Sequence, residues 1–434
     1  MELTQRFLWC ELMKRLLFVV LLLSASVVSA DFDKGMKCAE AKDYLCVLKE
    51  WQSIAKQGHA IAQYNLGLMY DNGQGVKQDK AEALKWYRMA ADQGIANAQI
   101  IIGYKYEDGE GVKQDHFKAT EYYKLAADQG HAFAQFSLAL MYVKGQGVKQ
   151  DYFKALEYYK LAADQGHAVA QFSLALMYVK GQGVKQDYFK ALEYYKLAAD
   201  QGHVVAQFNL ALMYVKGQGV KQDKWKAIAY YKLSADQGHA SAQYNLGFMY
   251  QNDQGVKQDY FEALEYYKLA ADQGHASAQT NLGVMYGKGQ GVKQDYFKAL
   301  EYHKLAADQG HASAQTNLGF IYENGSGVKQ DYFKALEYYK LAADQGDAGA
   351  QTNLALMYDN GLGVKQDYFK ALEYYKLAAD QGHAGAQTNL GNMYRKGKGV
   401  KQDKRKAKEL YGKACDNQNQ MGCDNYKKSN ELGY

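Results

Sequence analysis

The sequence predicts an all-α fold, an α/α superhelical solenoid of about ten 36-residue helix-turn-helix units, and three observations carry that expectation. The glycine of a Gln-Gly step returns at Gly58, Gly94, Gly130, Gly166, Gly202, Gly238, Gly274, Gly310, Gly346 and Gly382, always 36 residues apart. Regular recurrence without insertion is the signature of one continuous array. Within each interval, two segments carry apolar residues at helical spacing. The 434 residues include no proline, so helices must end through glycine and capping side chains.

In the unit covering residues 166–201, the first segment sets Ala170, Leu174, Met177 and Tyr178 on one side of a helix. The second segment of the preceding unit does the same with Ala155, Tyr158, Tyr159 and Ala162. Gly181-Gln182-Gly183 separates first helix from second, because a tight connection needs a residue that accepts positive φ. Asp253 takes the place of the first of these glycines in one unit, an exchange aspartate tolerates. Asp187 then stands where an N-cap belongs, its carboxylate available to the free N–H groups of the second helix, and it recurs at the same spacing from Asp79 to Asp403. Neither helix can bury its apolar face within a pair, so pairs must stack, with small Ala and Gly residues letting backbones approach.

The ends read differently. Lys14 and Arg15 precede an apolar run, Leu16 to Leu23, and Val28-Ser29-Ala30 offers small residues before Asp31. That pattern predicts a signal peptide over residues 1–30, cleaved after Ala30, with a run too short for a retained membrane span. Met13 opens a complete signal by itself. The mature chain is then expected to comprise N-terminal capping helices at 31–57, ten repeats at 58–417 and a C-terminal cap at 418–434, in the periplasm or secreted.

Cleavage removes Cys10 and leaves Cys38, Cys46, Cys415 and Cys423, an even number in an exported chain. Each pair is eight residues apart, ~12 Å along one helix and beyond the ~7 Å that bridged Cα atoms allow. A turn inside each pair is therefore required, and the sequence offers "AKD" at 41–43 and "NQNQMG" at 417–422. The expected bridges, Cys38–Cys46 and Cys415–Cys423, staple neighbouring helices at the two ends. Four free thiols or a zinc site are the competing readings. The net charge of +5 is spread through the units, which argues against a nucleic-acid footprint.

Over residues 58–417 the chain repeats A-x-x-x-L-G/A-x-x-Y-x-x-G-x-G-V-x-x-D-x-x-x-A-x-x-Y-Y-x-x-A-A-x-x-G, which resembles the Sel-one-like repeat, a relative of the tetratricopeptide repeat. "KACDNQNQMGCDNY" in the last unit resembles the cysteine-bearing turn of the secreted Helicobacter cysteine-rich proteins, with Cys415 and Cys423 at the paired positions. Those relatives carry a pair in nearly every unit, whereas here the pairs stand only at the ends. The resemblance implies a right-handed superhelix and an adaptor that holds other proteins. For some cysteine-rich relatives it implies a penicillin-binding or β-lactamase-like activity.

The residues give that chemistry little support. A serine β-lactamase needs Ser-x-x-Lys with Ser-Asp-Asn and Lys-Thr-Gly partners. "SIAK" at 53–56 supplies the first and the chain contains neither of the others. Ser53 shares the register of Met89, Leu125 and Leu161 and is expected to pack at a helix end. Eight histidines, His59, His131, His167, His203, His239, His275, His311 and His383, share one position after the Gln-Gly step; a roughly 10 Å unit spacing is too wide for two to share a metal, so the column suits a helix entry better. The Gly-x-Gly loops lack the third glycine of a dinucleotide site and the Gly-Lys-Ser/Thr of a P-loop. Verbatim copies also leave no room for a unique reactive constellation. No catalytic residue, metal or cofactor is therefore expected.

What differs between units points to binding. In the first helix the differences gather at the positions of Val169, Phe172, Ser173, Leu176, Val179 and Lys180, an arc of about 120°. In tetratricopeptide relatives the first helix lines the concave groove, so the resemblance implies that this arc is the docking face. The Phe172 position holds Tyr64, Ile100, Phe136, Phe208 and Tyr244, then threonines from Thr280 to Thr388. The Leu176 position holds Tyr104, Phe248 and Phe320, and the neighbouring column supplies Asn65, Asn209 and Asn245, amides able to bond an extended peptide. The expected partner is a protein or peptide, elongated or repetitive, gripped multivalently by a monomer. A cell-wall or β-lactam hydrolase and a secreted host-interaction factor are the alternatives.

Overall fold

The computed structural model describes residues 30–433; apart from Ala30, the predicted signal segment, with Cys10 and Met13, lies outside them. Among the described residues there are 23 helices and no strand. After two leading helices, Ala30–Glu40 and Tyr44–Lys56, first and second helices alternate, from Ala60–Asn72 with Lys80–Asp92 to Ala384–Lys396 with Lys404–Asp416, and Gln420–Glu431 ends the series. The described residues form two compact units that divide between residues 222 and 223, each an α/α stack.

The local chemistry is the one the sequence announces. Asp187 is extended, with φ −148°, and its Oδ1 accepts from the N–H groups of Phe189 and Lys190 at 3.0 Å each. Gly181 closes the preceding helix in the left-handed region at φ 67°, and Asp253 adopts φ 55° at the equivalent place. Gly183 is fixed twice over: its φ is 67°, and a Cβ there would stand 2.3 Å from the Tyr152 carbonyl oxygen of the preceding unit. Asp187→Ala should cost about 1 kcal/mol. The expected readout is roughly fivefold faster amide exchange in helix Tyr188–Asp200.

Two devices bind the layers. In the second helix a tyrosine ring is buried against a small residue of the first helix, as Tyr339 is against Gly319; Tyr195 and Ala175 hold the equivalent positions and are both buried. A Cβ on Gly319 would come within 2.5 Å of the Tyr339 ring, so the glycine sets how closely that ring approaches. The second device is a buried glutamine relay. Gln201 Nε2 donates to Gln171 Oε1 at 2.7 Å, and Gln171 Nε2 donates to the Ala163 carbonyl at 3.1 Å. One polar chain thereby ties three consecutive helices and adds a side-chain donor to a helix-end carbonyl that also accepts from the Gly166 N–H at 2.9 Å.

At the N-terminal end Phe32 and Trp51 are buried with ring centroids 5.8 Å apart, covering the apolar face of the first unit. Cys38 and Cys46 stand on either side of the turn at 41–43 at disulfide distance, Cα atoms 5.7 Å apart; Cys415 and Cys423 do the same with 4.5 Å. The second turn is shorter than the sequence suggests. Asn419 caps the last helix through the Gly422 N–H at 2.8 Å, so residues 420–422 are already helical.

Candidate partner-docking surface

The column of Phe172 lies at the joint between units, which the sequence alone does not reveal. Phe172 stacks on His203 of the next unit, centroids 4.7 Å apart and planes within 18°; Phe136 meets His167 at 5.0 Å and Tyr244 meets His275 at 4.8 Å. Where the column changes to threonine, the contact becomes polar. Thr280 Oγ1 lies 3.1 Å from His311 Nδ1, Thr352 Oγ1 lies 2.9 Å from His383 Nδ1, and Thr388 donates to Asn419 Oδ1 at 3.1 Å. Across the same 31-residue interval the histidine thus stays while its contact changes from ring stacking to a polar one.

The histidines also start the first helices. In His59, His167, His203, His239, His275 and His383 Nδ1 accepts from the backbone N–H three residues on, at 3.1 Å for His167 and 3.2 Å for His203, whereas His131 and His311 make no such bond. An accepting Nδ1 must be unprotonated, which assigns the proton to Nε2. Burial supports the neutral ring, pushing His167 down to about 4 and lowering His203, His239 and His275. Asp347 fills the same role, accepting from Ala350 at 2.7 Å.

The expected docking residues separate into three groups. Ile100 is 2% exposed and belongs to the packed core, so it cannot meet a partner; in place of an aromatic ring against the following histidine it fills the inter-unit space. Tyr64, Phe136, Phe172, Phe208 and Tyr244 are half-buried, keeping an edge on the surface while packing inward. Burial raises the Tyr64 phenol to about 12. Tyr104, Asn65, Asn209 and Asn245 are half-buried as well, and Asn209 Nδ2 donates to Tyr195 Oη at 3.3 Å. Phe248 and Phe320 stand out at 39% and 56% exposed. The accessible apolar strip of the first helices thus runs through the Leu176 position rather than the Phe172 position.

The second helices carry a feature the sequence reading passed over. From Phe117 to Phe369 every unit places an aromatic ring in the first turn of the second helix, Trp225 once and phenylalanine otherwise, exposed by 65% at Phe261 to 76% at Phe153. A helical wheel finds it: Phe153 is two residues from buried Ala155, hence about 200° away from the core side. Ser53, expected to pack, is exposed on helix Tyr44–Lys56, and its Oγ accepts from the Gln57 amide at 3.5 Å. Among the described residues no cluster of three metal-ligating side chains occurs, and no helix is long and apolar enough to cross a membrane.

The Sel1 repeat pattern matches ten consecutive segments, residues 60–95, 96–131, 132–167, 168–203, 204–239, 240–275, 276–311, 312–347, 348–383 and 384–419. No curated protein matches the chain. Among solved structures, a protective antigen of uropathogenic Escherichia coli with an SLR fold is 35% identical, with 93% of this chain and 88% of that one covered at a TM-score of 0.89. A Sel1 repeat protein from Oxalobacter formigenes is 32% identical over 79% of this chain and 99% of that one, at 0.58. Ten contiguous repeats, spanning most of the sequence, place this chain in the Sel1 repeat family.

Proposed function

We propose that this protein is an exported, non-catalytic scaffold that holds a protein or peptide partner along the strip presented by its first helices. Sel1 repeat scaffolds generally mediate protein–protein interaction. The observation that carries the reading is the exposure of Phe248 and Phe320, large apolar groups on the first-helix face that the joints between units do not use. The half-buried amides of Asn65, Asn209 and Asn245 border the same strip and suit the backbone of an extended peptide. Export rests on the signal-like segment and on two cysteine pairs at bonding distance, which fit an oxidising compartment.

The mature protein bearing Phe248→Ala and Phe320→Ala should keep its helicity and lose at least tenfold in affinity for partners captured from its own organism, about 1 kcal/mol or more for each buried anchor removed. Undiminished capture by a correctly folded variant contradicts the strip. Nitrocefin turnover abolished by Ser53→Ala would replace the scaffold with the hydrolase.

A further inference from the structure

The second helices expose two ladders on opposite edges, and neither belongs to the first-helix strip. At the edge formed by the connections, Lys293, Phe297 and Lys298 are exposed within six residues, as are Lys329, Phe333 and Lys334 in the next unit and Lys365, Phe369 and Lys370 after that. The carboxylate at this edge is already engaged: Asp331 accepts from the N–H groups of Phe333 and Lys334 at 3.1 and 3.0 Å. Between consecutive units the edge hollows into a cleft of about 910 Å³, with Tyr322, Tyr332, Phe333, Lys329, Lys334 and Lys365 in its wall. The recess is basic and aromatic, and the residues that build it recur at each of these units.

The opposite edge is the chemical complement. Every second helix ends on an exposed aspartate, from Asp92 to Asp416. Three residues before it, from Met89 to Leu377, stands an apolar side chain exposed by 44% to 50%. An aspartate in the last turn faces the negative end of the helix dipole, so helix formation does not ask for it. Lys304, exposed one turn earlier on the same helix, forms no ion pair with Asp308, which lies instead near the Tyr338 phenol. Ten repetitions of an unfavourable placement call for a use outside the helix.

We propose that the basic, aromatic edge receives the acidic edge of a second copy of this chain, in place of the monomer the sequence suggests. Within residues 223–434 the aromatic ladder runs from Trp225 to Phe369 and the acidic ladder from Asp236 to Asp416. Both advance by the same 36-residue unit, so once one Lys–Asp and Phe–Leu contact forms, its neighbours come into register together and weak contacts multiply. Pairing like edges would set lysine against lysine, or aspartate against aspartate, and is disfavoured. The contact is therefore heterologous: it joins different edges and lays copies side by side instead of closing a dimer. An acidic peptide or an anionic bilayer shares the charge but supplies neither the leucine ladder nor the matching pitch.

Residues 31–434 can be tested by sedimentation velocity at about 50 mM and about 500 mM salt, since contacts between exposed charges are screened at the higher value. Oligomers are expected at low salt and monomers at high salt. A basic-edge variant (Lys257→Glu, Lys293→Glu, Lys329→Glu, Lys365→Glu) and an acidic-edge variant (Asp272→Lys, Asp308→Lys, Asp344→Lys, Asp380→Lys) should each be monomeric alone and should co-sediment when mixed. Circular dichroism checks folding, which lysine at a helix C-terminus favours. A wild type that stays monomeric at low salt overturns the proposal. So do oligomers indifferent to both reversals, and binding to phosphatidylglycerol vesicles without self-association. The first-helix strip is untouched by these variants, so its failure or success is read separately.

Discussion

Tyr195→Ala is expected to lower local stability by about 4 kcal/mol, as large-to-small changes of buried aromatics do. The ring is buried at the meeting of helices Ala168–Lys180, Tyr188–Asp200 and Val204–Lys216. It lies 5.8 Å from Phe172, its Oη receives the Asn209 amide, and burial pushes the phenol up to about 12. Truncation leaves a cavity between layers that cannot collapse, because the flanking backbones are already in contact through alanine. In a repeat array the damage stays near its origin. Hydrogen exchange should show protection falling about a thousandfold across residues 168–216 and unchanged in helix Ala60–Asn72. Tyr195→Phe keeps the ring and should cost only about 1 kcal/mol, the worth of one hydrogen bond.

Acidification is the second large effect, and its sign follows from the histidines. Burial holds His167 and His303 at about 4 and lowers His131, His203, His239, His275 and His311. Their unfolded counterparts titrate near 6.5, so between about pH 6.5 and pH 4 the unfolded chain binds protons that the folded chain refuses. Stability should be full above about pH 6.5 and fall steadily below it, before most carboxylates titrate. His303 isolates the effect. It replaces the tyrosine of other units, is 4% exposed, and its Nδ1 has no hydrogen-bond partner among the described residues. Restoring the repeat with His303→Tyr should recover up to about 3 kcal/mol at pH 4 and change little at pH 7.5. Urea denaturation across this range makes the comparison, and a variant as acid-sensitive as the wild type contradicts the assignment. His167→Asn, which copies the Asn419 cap, should also flatten the profile.

Helix boundaries were legible because they rest on chemistry local to the chain. Asp187 as N-cap, Gly181 in the left-handed region and the helix-entry histidines each act within three or four residues of their position. The contacts between Phe172 and His203, and between Gln201 and Gln171, span 31 and 30 residues and are set by how pairs stack. Variation between copies pointed to the first helix, yet it could not separate a joint from a surface. Phe172 and Thr280 both face a histidine of the following unit at a joint, whereas Phe248 and Phe320 vary on an accessible face. Ile100 shows the same limit, being variable and sealed. The exposed ring at Phe153 escaped notice for the opposite reason: it is copied almost unchanged, and a comparison that looks for difference passes over it.

The most direct test of the scaffold reading is photocrosslinking from single positions in the organism that makes the protein. A benzophenone side chain placed at Phe248 and, separately, at Phe320 should capture the same partner, while one at Lys160 on the outward side of a second helix should not. Adducts confined to Lys160, or none from either first-helix position in a folded protein, would contradict the account.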